Sequence, residues 1–375
     1  MNADRIERSL WQDLTARGAV QGEYAATLRT PWPIRLLMGA AGWLGALFFQ
    51  LFLVGSVFAA TRGNGPAMVM TGGMMIGGAV ILYRVAGAGS GRIALGQFAL
   101  AASLGGQGMA IFGAAQSLGG EWLVDRAAFW LGVAAFEAVL YAIVPNRLHR
   151  FVVALGAWTA LAFALNIALA GARLHGWVVL PWSLGWLVPL ACAAVTVFVL
   201  MENMLAARGQ HGRWEPLADA TLLFALAAAL LVTGATHPLA VVFDGHDAPR
   251  LPAPWLAGVL TGAVLLAFAL AECWRLHADT RVSGGVVVVT IAFAALMVMA
   301  PAVAAGVLAM ALALRRGSLP WLGLGVAAVV LGFVWYYGSL QWTLLAKSAT
   351  LVAAGALLLT ARAVLPRVSR TEVPA

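Results

Sequence analysis

Glu137 is the acidic side chain best placed to do chemistry, because it alone stands well inside one of the long uncharged stretches of the sequence. A charge at the middle of a bilayer costs about 2.5–3.5 kcal/mol on insertion scales, so such a group faces a bundle interior or is neutralised. It then needs hydrogen-bonding company, and depth arithmetic names two candidates. Gln107 lies ten residues from one end of the stretch 93–117, Gln50 ten from the end of 36–60, and Glu137 ten from the start of 127–145. At roughly 1.5 Å per residue, all three reach about 15 Å below the outer membrane surface. A polar cluster of Gln50, Gln107 and Glu137 is therefore expected. It serves either as glue between helices, as buried polar side chains often do, or as a substrate or proton site.

Other chemistry-bearing residues read more plainly. Lys347 falls about one turn inside the last apolar stretch, where its stem can snorkel to the outer headgroups. Pairing with Glu121 or Asp125, or a ligand contact, is the sharper reading. Tyr336 and Tyr337 fit the outer aromatic belt or, together with Lys347, an outer-face contact. The segment Asp244-Gly245-His246-Asp247, with His237 and His175 on outer loops, offers imidazole and carboxylate, but no HxH, HExxH or CxxC spacing fixes two ligands on one element. No metal is expected. Gly87-Ala88-Gly89-Ser90-Gly91-Arg92 lacks the strand-to-helix context of a phosphate loop and reads as a tight turn. Cys192 and Cys273 sit in apolar stretches without a motif and behave as small buried hydrophobes. No triad, Walker or deaminase signature occurs, so no catalytic residue, enzyme activity or cofactor is expected.

The elements that must carry these residues follow from composition. Of the 375 residues, 62% are apolar and 10% charged, against about 25% charged in a typical globular chain. So few charges cannot coat a soluble protein of this size, but they suffice for short loops between membrane spans. A crossing takes roughly 20 apolar residues. The expected spans are 36–60, 65–83, 93–117, 127–145, 151–171, 178–200, 217–237, 255–274, 284–299, 301–314, 320–338 and 343–362. Residues 282–314 carry no charge, and one straight helix of that length would run about 50 Å, too long for one crossing. Pro301 breaks the stretch near its middle. The fold class is thus all-α, a polytopic transmembrane bundle of about twelve spans, with eleven as the alternative.

Charge placement separates those two counts. With twelve spans and a cytoplasmic N-terminus, 18 of the 23 basic residues fall inside and 5 outside; with eleven spans the split weakens to 14 and 9. Twelve spans with both termini inside is the better fit. All the basic residues but Lys347 are arginines, scattered between apolar runs rather than gathered on one face. Topology accounts for the net charge of +8 better than a nucleic-acid partner does.

Residues 1–35 read as a cytoplasmic amphipathic segment rather than a signal peptide, since charges recur throughout. Ile6, Leu10 and Leu14 form one stripe on a helix ending near Gly18, a second short helix covers Glu23–Leu28, and Pro31 and Pro33 precede the first span with Trp32 as interfacial anchor. Residues 36–364 make the bundle and 365–375 a cytoplasmic tail. Gly73-xxx-Gly77 and Gly258-xxx-Gly262 fit close helix packing within or between chains.

Three passages together resemble a known family: Pro31-Trp32 through Arg35-Leu36-Leu37 with Gly42-Trp43-Leu44; Pro145-Asn146-Arg147-Leu148-His149-Arg150-Phe151; and Trp335-Tyr336-Tyr337, Ser339-Leu340, Thr343-Leu344-Leu345 and Lys347-Ser348. The likeness is to bacterial membrane proteins of domain of unknown function 4401. It implies a multi-pass protein of the bacterial inner membrane, and a small membrane-protein partner named for a GDYxxLxY motif. It implies no activity. Two functions stay open: a transporter of a small solute, which predicts a water-lined cavity reaching Glu137, and a non-catalytic scaffold or assembly subunit docking a partner through residues 1–30. The twelve-span layout favours the first by architectural analogy.

Overall fold

The computed structural model of the chain describes residues 3–22, 32–85, 91–120, 123, 125–170, 184–234 and 254–339, together with 345, 348 and 352. All regular structure among them is helical: α1 Ala3–Ala16, α2 Trp32–Thr61, α3 Gly65–Val85, α4 Gly91–Leu118, α5 Ala127–Ile143, α6 Arg147–Ala170, α7 Leu184–Leu200, α8 Glu202–Ala207, α9 His211–Val232, α10 Pro254–Arg275, α11 Thr280–Leu296, α12 Pro301–Arg316 and α13 Leu319–Ser339. Seven helices are long and apolar enough to cross a membrane. The chain is a helical membrane protein.

Eleven of the twelve expected spans coincide with a helix, and the twelfth, 343–362, lies outside the described residues apart from three positions. Three of the matching apolar helices, α5, α7 and α11, have only 17 residues each, about 25 Å and near the lower limit for a crossing. The uncharged stretch 282–314 divides as its proline requires. α11 ends at Leu296, Ala300 turns, and Pro301 opens α12, where its missing N–H breaks no intrahelical bond. α2 starts at Trp32, one turn before the expected 36, because Pro33 sits in its first turn and does not stop it.

The chain divides into two compact units, Met1–Gly63 with Met70–Ala110, and Asn64–Val69 with Ile111–Ala375. In the first, α1 ends in a Schellman turn: Gly18 takes φ +69°, its N–H bonds Thr15 O, and that of Ala19 bonds Leu14 O. The expected second helix at 23–28 lies outside the described residues. α2 leans on α4 at Gly42, where a Cβ would come within 2.4 Å of Ala94 O. The neighbouring Trp43 donates its indole N–H to Gln97 Oε1 at 2.9 Å. Phe48, Leu51 and Phe52 on α2 are more than 70% exposed, a surface that suits lipid. Gly73 and Gly77 meet nothing among the described residues; the close approach to α4 runs through Gly72, one position earlier, against Gly106 O and Ala110.

The second unit packs α7, α9 and α12 around a core of Val188, Val195, Leu222, Ala229, Leu308 and Leu312. α12 is its buried centre: ten of its sixteen residues are buried, and glycine and alanine let neighbours approach closely. Gly306 and Gly325 face each other across α12 and α13, a Cβ on either coming within 2.9 Å of the other's carbonyl oxygen. Gly317, at φ +70°, makes the tight link between those helices. Gly258 and Gly262 do pack closely, against Val298 and Ala294 at α11.

Candidate functional site

The second unit gathers its charges at one end. Val144 is extended before Pro145 and closes α5. Asn146 then caps α6, its Oδ1 accepting the His149 N–H at 2.9 Å. This turn projects Arg147 towards α9, where its guanidinium lies 2.9 Å from Glu215 and 3.4 Å from Asp219. From α12, Arg316 donates Nε–H to Glu202 Oε1 at 3.0 Å, and its other nitrogens lie 3.6 Å from Glu215 and from Asp219. Trp321 of α13 donates its indole N–H to Asp219 Oδ1 at 2.8 Å, and the Arg316 guanidinium stacks 4.7 Å from the Trp321 ring. Beside this, Glu272 of α10 pairs with Arg275 at 2.7 Å and with Arg315. Four carboxylates thus face four guanidiniums, and the network carries no net charge.

A second set of bonds ties α5 to α9. Pro216 has no N–H for Gly212 O, and Arg150 Nη1 donates to that carbonyl at 3.4 Å. Arg150 Nε also donates to Tyr141 O at 3.2 Å, while the Tyr141 hydroxyl donates to Arg213 O. The Pro145–Phe151 passage is therefore the hinge pin of the charged end.

Between α6, α9, α12 and α13 this end opens into a cleft of about 800 Å³. Arg147, Glu215, Asp219 and Arg316 line it together with the apolar side chains of Phe151, Leu223 and Leu324. At the opposite end of the unit the described helix ends meet closely. Gly234 N–H donates to Met299 O at 3.2 Å, Thr233 Oγ1 accepts the Ala302 N–H at 3.0 Å, and a Cβ on Gly258 would fall 1.9 Å from Val298 O. Ser339 sits against Gly234, which takes φ +91°.

Glu137 is buried on α5 with Ala134 and Leu140, on the stripe that faces α6. Opposite it stands Gly156, where a Cβ would lie 3.5 Å from the Glu137 carboxyl carbon. Glu137 Oε2 accepts no hydrogen bond from the described residues. Because α5 ends at Ile143, Glu137 is only six residues, about 9 Å, from the charged end, nearer to it than the span 127–145 implied. It is not among the residues lining the cleft.

The two glutamines belong to the first unit and Glu137 to the second. Gln50 donates to Ala101 O and rests its amide on Gly105. Gln107 is buried on α4, with its Nε2 3.5 Å from Ser103 Oγ. Positions 101 and 105 form one stripe of α4 and 103 and 107 another, so the structure does not bring Gln50 to Gln107. Tyr336 and Tyr337 are half-buried near the end of α13, Tyr337 stacked 6.3 Å from Phe333. Asp125 is exposed. Lys347, Glu121, His175, His237 and the Asp244–Asp247 segment lie outside the described residues, and no cluster of three metal-ligating side chains occurs among those described.

Sequence reasoning gave the arginines a topological meaning and left Glu202, Glu215, Asp219 and Trp321 without a role. A signal was present: Glu215 and Asp219 are four apart on one helix face, at the end where the arginines Arg147 and Arg316 also fall. No curated protein and no solved structure matches the chain. The family described as Domain of unknown function (DUF4401) matches residues 31–368, which include all three passages. The chain belongs to that family.

Proposed function

We propose that the protein is a carrier of a small polar solute, built of twelve spans in the bacterial inner membrane with both termini in the cytoplasm. The cleft at the charged end is the observation that carries this reading. It is large enough for a metabolite, lined by both charged and apolar side chains, and it opens at one end of a unit whose described helix ends meet closely at the other. The span count draws support from the Arg315–Glu272 pair. That contact puts the C-terminal ends of α10 and α12 together, so α11 and α12 run out and back as two crossings. The cytoplasmic assignment rests on the arginine bias.

The test uses the full chain with Cys192 and Cys273 changed to serine and a cysteine placed at Leu324 in the cleft wall. A membrane-impermeant thiol reagent should modify it in inside-out vesicles and not in right-side-out ones. Purified protein is then screened for solutes that raise its melting temperature, and these are assayed for uptake into proteoliposomes. A cleft cysteine silent from the cytoplasmic side, with no solute stabilised or moved, overturns the reading.

A further inference from the structure

We propose that Glu137 is a proton-binding site, a carboxyl that takes up and releases H⁺ through the charged end of the second unit. The inference goes beyond the carrier reading and does not need it.

A buried carboxylate that only held helices together would be expected to accept hydrogen bonds from the helix it faces. Glu137 faces Gly156, a residue with no side chain to offer, and its Oε2 is buried and unpartnered among the described residues. Among the described residues no guanidinium pairs with it, whereas each carboxylate of the charged network has at least one. An anion so placed has no compensation for lost hydration, and binding a proton removes the charge. The glycine leaves the carboxyl against bare backbone, with space for either protonation state.

Further titratable groups lie towards the charged end. Tyr141 lies one turn further along α5, with its hydroxyl on Arg213 O and the Arg150 guanidinium 5.8 Å from its ring. The remaining titratable or charged groups on α6, the helix packed against α5, are His149 and Arg147 near its start. His149 is buried, and Arg147 is engaged with Glu215 and Asp219. Protonatable groups thus stand between Glu137 and the charged end.

The experiment uses the full-length protein in lipid nanodiscs and the apolar reagent dicyclohexylcarbodiimide. A protonated carboxyl adds across one C=N bond: its oxygen bonds the central carbon, its proton goes to nitrogen, and nothing leaves. The adduct then rearranges to a stable N-acylurea of the same atoms. Peptide mapping of the wild-type chain should find the modification at Glu137, with a rate that falls roughly tenfold per pH unit once the group ionises. The infrared band of a protonated carboxyl should fade over the same range and be missing from Glu137→Gln. Because mapping locates the adduct on the wild-type protein, the result stands even where the variant fails to fold. Modification at an unchanging rate across pH, or none at Glu137 with a pH-invariant infrared band, overturns the proposal. A titrating Glu137 in a protein that moves no solute removes the carrier and keeps the proton site. Uptake by a protein whose Glu137 does not titrate does the reverse.

Discussion

The two ends of the second unit are held by different physics. At the charged end, long side chains reach across gaps: Arg147, Arg316 and Arg315 span to acids on α8, α9 and α10, and the cleft opens among them. At the other end backbones approach closely, Gly234 on Met299 and Gly258 on Val298, and the short Thr233 hydroxyl accepts the Ala302 N–H. Ion pairs at a partly wet rim are individually weak and can exchange partners. Backbone contacts through glycine have no such freedom, since a packed interior has little room to shift. On the carrier reading proposed above, one end is suited to part and the other to stay, the asymmetry a protein loading from one side needs.

The sharpest way to break that comparison is at the backbone-held end. Gly258→Ala puts a methyl group 1.9 Å from Val298 O, which only a shift of α10 against the turn after α11 can relieve. Overpacking of this kind costs about 3 kcal/mol. The loss should appear in nanodisc thermal unfolding and be the same at low and high salt. A neutral Gly258→Ala would mean the contact is not tight.

Arg316→Ala addresses the other end. The side chain is 12% exposed and serves Glu202, Glu215 and Asp219 together, so its removal leaves three acids with Arg147 as their one remaining guanidinium. Breaking a fully buried pair costs about 3–5 kcal/mol, and the quarter-exposed acids reduce that to about 2 kcal/mol. The variant should also open the cleft further, read as faster modification of a cysteine at Leu324. Equal modification rates in both backgrounds would detach the ion pairs from the cleft.

Much of this architecture could be read before any coordinates. Apolar length and Pro301 gave both α11 and α12, because a proline's missing N–H is a local fact. The Gly258-Gly262 spacing pointed to packing within the chain, while within the described chain it is Gly72, next to Gly73, that makes the close approach. Spacing names a face only to within a turn, and the partner helix decides which glycine it needs. The charged network was illegible for another reason. Arg147, Glu202, Asp219 and Arg316 are far apart in sequence, and only the out-and-back path of α6 to α12 makes them neighbours. Depth arithmetic likewise placed Gln50, Gln107 and Glu137 at one level but carried no rotation about the helix axes. Gln50 and Gln107 engage different stripes of α4 for that reason.

Thr233→Val probes the fixed end more gently. The substitution keeps the shape and removes the oxygen that accepts the Ala302 N–H, leaving a buried amide at the start of α12 unpaired. Loss of such a cap costs about 1 kcal/mol. Thr233→Ser should restore most of it, since serine keeps the acceptor. A Thr233→Ser variant as weak as Thr233→Val would show that packing, not the cap, matters there.

The smallest effect belongs to Arg147, and its size is what tests the idea of an end made to part. Its side chain is 64% exposed although it bridges Glu215 and Asp219. An ion pair so wet is worth about 0.5 kcal/mol and is screened over about 8 Å at physiological salt. Arg147→Ala should therefore lower stability slightly at low salt and not measurably at high salt. A double-mutant cycle with Glu215→Gln should show coupling that disappears in parallel. A loss of several kcal/mol that ignores salt would mean that Arg147 is clamped rather than exchangeable. The charged end would then be as fixed as the glycine end, and the cleft could not be the moving mouth of a carrier.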